Sequence, residues 1–302
     1  MNTKDNLRLA EQVLWLRHAQ LALNEAIRSG AFKIPIHLAL GHEASAVALT
    51  SALKPEDRLL LSHRNIHYNL ARLGRLRPVL DEFSGETTGI AGGVLGSMNL
   101  SQAGRGLAYT SSILGNNLPV SVGVAKALKD RRAGGVAFVI TGDGAMEEGA
   151  FYESLLMATA ARVPLVVIIE NNGWSMYTRI EERRGAINLE RYAQSLGLPY
   201  LTATANDPGK VLNIYEQARV SSSQYLSPCL VELFVYTLGD FTEGDRLVNY
   251  HHGAAPKVEW KKSAIIADSK IDPVAYLSES LPPRKFNVIA QKTFKSVSEE
   301  VA

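Results

Sequence analysis

The sequence predicts an α/β protein with a doubly wound, mainly parallel sheet, and three observations support this. Short apolar runs rich in β-branched residues, such as Val136 to Ile140 and Val163 to Ile169, alternate with stretches whose apolar residues recur at helical spacing, such as Met146 to Ala161. The run from Val136 to Tyr177 therefore reads strand, turn, helix, strand, a βαβ unit whose strands are parallel. Gly142-Asp143-Gly144 follows the first strand and Asn171-Asn172 follows the second. Open parallel sheets bind ligands beyond the carboxyl ends of their strands, so these two turns are expected side by side, sharing one ligand.

Taken in order, Asn6 to Arg28 predicts a long amphipathic helix, with Leu7, Leu9, Val13, Leu16, Ala19, Leu23 and Ala26 on one stripe, closed by Ser29-Gly30. Ile34 to Leu53 reads as a loop entering a buried helix. Asp57 to Gly74 reads as a short strand, a polar loop and a helix, and the glycine-rich Ser84 to Gly106 reads locally as a mobile loop. Small residues from Val120 to Lys129 predict a closely packed helix. Beyond the βαβ unit, Thr178 to Gly185 is charged and expected to become ordered on binding a ligand. Asn188 to Leu196 predicts a short helix and Tyr200 to Thr204 a strand. Asp207-Pro208 predicts an N-cap and first helical residue of a helix to about Ser222, followed by a strand from Pro228 to Tyr236. Residues 1–256 are expected to form one domain and 257–302 a C-terminal extension.

Composition narrows the function classes. With 302 residues, 46% of them hydrophobic, the chain has enough apolar material for a full core. Its 32 basic and 30 acidic residues are interspersed, so neither a nucleic-acid nor a membrane partner is expected. Cys229 is the single cysteine, which excludes intramolecular disulfides and cysteine metal sites. The longest apolar run is about seven residues against the ~20 that span a bilayer, and a cytoplasmic location is the default expectation.

The residue types at the two turns point to a phosphate and a cation. Gly142 and Gly144 let a backbone turn and approach a phosphate, and the helix that follows is expected to aim its N-terminal N–H groups at it. Asp143 between them would repel a diphosphate unless a hard divalent cation separates the two. Asp143 would give a carboxylate oxygen, Asn172 an amide oxygen, and phosphates and water the rest of a Mg²⁺ octahedron. Nucleotide fingerprints fit worse, because the glycine spacing is not G-x-G-x-x-G and no Lys-Ser or Lys-Thr follows.

A G-D-G followed about thirty residues later by N-N closely resembles the thiamine diphosphate signature. The resemblance implies that Asp143, Asn172 and the backbone carbonyl of Trp174 hold the metal. It further implies that Gly142, Gly144 and Ala145 lie at the diphosphate and that Met176 props the cofactor in a bent shape. His37-Leu-Ala-Leu-Gly41-His42-Glu43-Ala44 resembles the H-L-x-x-G-Q-E-A segment of the alpha subunit of 2-oxo acid dehydrogenases. His37 would then face the reacting centre, although a histidine in an apolar segment is, on the residues alone, more often structural. Glu43 is given no chemical role and is expected to start the helix or pack. The His63-Arg64 pair stands where those subunits carry a diphosphate-binding tyrosine-arginine pair, and His67 matches a later histidine after a one-residue insertion. Gly96-Ser97-Met98-Asn99-Leu100 resembles G-S-M-H-L, and backbone groups near Ser112 and Leu114 would hold the aminopyrimidine ring.

One loop departs from that pattern. Tyr236-Thr-Leu-Gly-Asp-Phe-Thr replaces Y-R-x-H-G-H-S, and the next histidines, His251-His252-Gly-Ala-Ala-Pro256, look more like a segment of transketolase. His37, His67, His251 and His252 are thus the acid–base candidates. The resemblance implies decarboxylation of a 2-oxo acid with transfer to a lipoyl carrier; transketolase-like ketol transfer is the alternative, and an inert scaffold homologue is a third. It also implies a separate beta-type subunit that supplies the glutamate activating thiamine diphosphate, in an α2β2 assembly.

Overall fold

The computed structural model describes residues 3–102, 106–132, 134–238, 241–243, 246–248 and 263–301. In chain order the elements are α1 (Thr3–Arg28), α2 (Glu43–Ala52), β1 (Arg58–Leu61), α3 (Ile66–Leu73), α4 (Arg77–Phe83), β2 (Leu107–Thr110), α5 (Asn117–Asp130) and β3 (Ala137–Gly142). A 3₁₀ turn (Asp143–Glu147) then leads to α6 (Gly149–Ala161), β4 (Leu165–Asn171), the small hairpin β5 (Trp174–Ser175) and β6 (Thr178–Arg179), α7 (Ile180–Arg183) and α8 (Leu189–Ser195). The remainder is β7 (Tyr200–Thr204), α9 (Pro208–Tyr225), β8 (Cys229–Phe234), the short pair β9 (Phe241–Glu243) and β10 (Arg246–Val248), α10 (Pro273–Ser280) and α11 (Pro283–Val301).

Six strands form one sheet in the order β2-β1-β3-β4-β8-β7, every pair parallel. Period-two alternation divides the strands between two cores, as pleating requires. Phe138, Ile140, Val166, Ile168 and Val231 face a layer that includes α1, α2 and α9, whereas Ala137, Val139, Leu165, Val167 and Ile169 face α5, α6 and α8. The doubly wound sheet is the architecture the sequence predicts.

Local differences have identifiable causes. α1 buries more than a stripe: from Val13 to Asn24 only Trp15 is not buried, because α2 packs on one side and α11 on the other. Its polar residues are consequently paired. Arg17 donates to both oxygens of Glu43 at 2.7 and 3.0 Å and to both oxygens of Asp272 at 2.9 and 3.2 Å, all three side chains being buried. Glu43 thus has the structural role expected of it, as part of a triad in which Arg17 of α1 ties α2 to the start of α10. Val274, Leu277 and Val297 join the same core as α1, so the C-terminal helices are packed onto the sheet domain.

The segment after α4 is held by a buried acid. Glu82, 1% exposed, accepts the backbone N–H groups of Ala91, Gly93 and Leu95, each at 2.8 Å, and of Gly96 at 3.2 Å. The local composition read as a mobile loop because a single carboxylate on the preceding helix, outside the loop, satisfies its amides. Asp207 caps α9 as predicted, accepting from Gly209 and Lys210.

His18 on α1 contacts the Thr293 hydroxyl of α11 at 3.0 Å. Burial, assisted by the Arg17 charge, lowers its pKa from 6.5 to about 4. The unfolded chain therefore takes up this proton at a higher pH than the folded one. The contribution is fully present above pH 6.5 and is lost as pH falls toward 4. Urea titrations are expected to show stability falling by up to ~3 kcal/mol across that window from this group, and His18→Gln should remove that share of the slope.

Candidate functional site

The chain leaves β1 toward β2 on one side of the sheet and returns to β3 on the other, so loops diverge at the carboxyl ends of β1 and β3. A crevice opens at such a switch point. It is walled by Ser62, His63 and Arg64 after β1, by Ser112 to Gly115 after β2, by Thr141 to Ala145 at the end of β3, and by Glu170 and Asn172 at the end of β4. Trp174, Ser175 and Met176 of the hairpin close one side, and His37 and His42 before α2 close another.

The strand register brings the two signature turns together. Gly142 pairs with Glu170, so the residues that follow emerge abreast, and the Asn172 N–H points at Asp143 Oδ1 across 3.4 Å. Asp143 is 1% exposed; burial raises its pKa, while the guanidinium of Arg183, donating to Oδ2 at 2.7 Å, works against that rise. Arg183 is also paired with Glu147. A buried carboxylate in this loop therefore already has a cation against it. The Asn172 side chain accepts the Trp174 N–H at 2.9 Å and donates to Thr237 Oγ1 at 3.1 Å, which fixes its amide oxygen and nitrogen. Carboxylate, amide and carbonyl oxygens form the donor set of a hard cation. With a guanidinium standing in for that cation, the residues present fit the metal–diphosphate group that the resemblance implies.

Two expectations about the turn need correction. Gly142 has extended backbone (φ −108°, ψ 167°) that any residue adopts. Gly144 is required by contact: a Cβ there would lie 2.7 Å from Ser175 Oγ and 2.9 Å from Ser175 Cβ. The α-helix also does not begin at the turn, because the 3₁₀ segment Asp143–Glu147 intervenes and α6 starts at Gly149. The N–H groups nearest the turn are those of this tighter segment. Met176 lines the cavity at φ +51°, a left-handed conformation unfavourable for its side chain and held by the hairpin around it.

The histidines separate. His37 and His63 both line the cavity, ring edge against ring face with centroids 4.9 Å apart, and Arg64 beside them donates to the Leu38 carbonyl. His67 does not reach the cavity. It lies fully buried on α3 behind the wall, beside Glu170 and His42, because the helix turns it toward the sheet. His251 and His252 lie outside the described residues. The charged stretch from Thr178 is folded as β6 and α7, pinned by Arg183 and Arg184 to Glu147.

A family model of the dehydrogenase E1 component matches residues 13–271. The chain belongs to the dehydrogenase E1 component family. Relatives of this E1-type chain include the alpha subunit of acetoin:2,6-dichlorophenolindophenol oxidoreductase of Bacillus subtilis (strain 168), 27% identical over 242 residues, spanning 78% of this chain and 73% of that one. The pyruvate dehydrogenase E1 component alpha subunit of Acholeplasma laidlawii is 26% identical over 231 residues, covering 76% of this chain and 64% of that one. The human mitochondrial somatic form is 25% identical over 304 residues, covering 100% and 74%. Among solved structures, transketolases of Leishmania mexicana and Campylobacter jejuni superpose with TM-scores of 0.62 each at 17% and 19% identity, covering 100% and 99% of this chain. At that identity they share the fold, and the chain spans only 46% and 48% of their lengths. The resemblance to alpha subunits is borne out, and transketolase is a structural relative.

Sequence reasoning missed four residues at the site: His42, Glu170, Arg183 and Thr237. Glu170 had a visible signal, being the one acid in the apolar run Leu165–Asn171, and His42 stands where the resembled segment has glutamine. Thr237 is placed by a contact that crosses the chain. The Leu238 N–H donates to the Leu40 carbonyl at 2.8 Å, and Gly41 lies beneath Tyr236 with φ +97°, where a Cβ would fall 1.9 Å from the Tyr236 oxygen. Gly41→Ala is therefore expected to lower stability by about 2–4 kcal/mol in chemical denaturation, from positive φ and backbone overlap together.

Proposed function

We infer that this E1 alpha-type chain binds thiamine diphosphate and Mg²⁺ and, with a beta-type subunit in an α2β2 assembly, decarboxylates a 2-oxo acid, passing the acyl unit to a lipoyl carrier. The observation that carries this reading is the pair Asp143 and Asn172 held abreast in one cavity. Membership of the E1 family across residues 13–271 supports it. A near-neutral net charge and a single buried cysteine, Cys229, support a cytoplasmic location.

When bound, thiamine diphosphate supplies the carbon nucleophile and the electron sink for loss of carbon dioxide. Asp143, Asn172 and the Trp174 carbonyl would hold Mg²⁺, releasing Arg183 from Asp143. Arg64, whose planar fork matches a phosphate, and the N–H groups of Gly144 and Ala145 would hold the diphosphate beside Gly142. Ser112 and Leu114 would hold the ring system against Met176. His37, with His63 against it, is the acid–base candidate within the cavity. His67, buried behind the wall, is better suited to positioning than to proton transfer with a substrate.

Carbon dioxide release from a panel of 2-oxo acids tests the reading, using the chain reconstituted with its beta-type subunit, thiamine diphosphate and Mg²⁺. At least one acid should be decarboxylated. Acetoin belongs in the panel because one relative is named for it; turnover of acetoin with no carbon dioxide from any acid would replace the 2-oxo acid reading with cleavage of a hydroxyketone. Asp143→Ala should abolish the rise in melting temperature given by thiamine diphosphate plus Mg²⁺, a stabilisation of about 2.7 kcal/mol at a hundredfold excess over Kd.

A further inference from the structure

At the cavity wall, two imidazoles from different elements converge on one carboxylate oxygen. Glu170 Oε2, at the end of β4, lies 3.2 Å from His42 Nδ1 and 3.4 Å from His67 Nε2. The three potential ligand atoms lie within 4.8 Å of one another. His42, His67 and Glu170 are 1%, 0% and 7% exposed. Neither ring nitrogen of His67 has a hydrogen-bond partner, a costly condition for a buried imidazole that something must relieve.

The His42 Nδ1–Glu170 Oε2 contact is within hydrogen-bond reach, whereas the His67 Nε2 contact is longer than a good hydrogen bond. Ligands bound tetrahedrally at about 2.0–2.1 Å stand about 3.3–3.4 Å apart, so both spacings, 3.2 and 3.4 Å, also suit two edges of a metal site. The outer contacts are those of a metal's supporting groups. The Tyr68 hydroxyl donates to Glu170 Oε1 at 2.8 Å, leaving Oε2 for a ligand, and His42 Nε2 is 3.0 Å from Thr237 Oγ1, leaving Nδ1.

We propose that His42, His67 and Glu170 bind one divalent transition-metal ion of the zinc class, at a site separate from the oxygen-donor site of Asp143 and Asn172. Two imidazoles and a carboxylate select zinc or cobalt over magnesium. His42 and Glu170 also line the cavity, so an ion on them would lie at its wall.

Cobalt titration of the metal-stripped full chain, in saturating Mg²⁺, tests the site. One equivalent of Co²⁺ should bind with the visible absorption of a four-coordinate ion and be displaced by Zn²⁺. Asp143→Ala should retain that spectrum. His42→Gln, which installs the residue of the resembled segment, and Glu170→Gln should each weaken binding at least tenfold while melting like the parent chain without metal. A wild-type chain that takes up no stoichiometric cobalt overturns the proposal whatever the variants do. So does cobalt binding left unchanged in both variants, which would place the ion on other histidines.

Discussion

The parallel pairing of β3 with β4 is the constraint on which the site depends. Its register matches Gly142 to Glu170, and only in that register do the two strands end level, releasing Asp143 and Asn172 side by side. A slip of one residue would turn Phe138 and Val139 to the wrong cores and part the two turns at the same time. The packing of the sheet and the assembly of the site are thus specified by the same contacts. This explains how a buried carboxylate with a raised pKa persists at the strand end: apolar layers on both faces fix the backbone that carries it.

Among the described residues, buried charge elsewhere is met by opposite charge, by backbone groups or by polar side chains, as Glu232 is by Asn171 and Tyr200. Arg17 is enclosed by Glu43 and Asp272, and Arg219 meets Asp57 in a two-pronged contact at 2.8 and 2.9 Å. Asp57 also accepts the Val136 N–H, joining α9 to the starts of β1 and β3. Such pairs contribute little net stability beside an apolar replacement but are damaging to break, so they fix arrangement more than they add strength. The Arg17 group anchors the C-terminal helices to α1, and the Asp143–Arg183 pair does the same for α7 at the cavity mouth.

The sheet was legible because both of its signals are local. Alternating apolar runs located β3, β4, β7 and β8 to within about two residues, and Asp207-Pro208 marked the start of α9. The signature turns were legible because chemistry needs an acid and amides at fixed places. What escaped the sequence is what depends on contacts between distant residues. Glu82 orders a glycine-rich loop from outside it, and Arg183 reaches back 40 residues to Asp143. His67 was read from its place near a motif, yet the helical turn that carries it decides that it faces the sheet and not the cavity. Gly144 likewise matters for what sits above it, Ser175, which no local pattern reveals.

The loops of Asp143 and Asn172 are proposed to hold a cation against a diphosphate. Phosphorus NMR of thiamine diphosphate bound to the reconstituted complex, with Mn²⁺ in place of Mg²⁺, tests this. Both phosphorus resonances of the bound cofactor should broaden severely with Mn²⁺, and Asn172→Ala should weaken the effect. Bound cofactor whose phosphorus resonances stay sharp at saturating Mn²⁺ would contradict it.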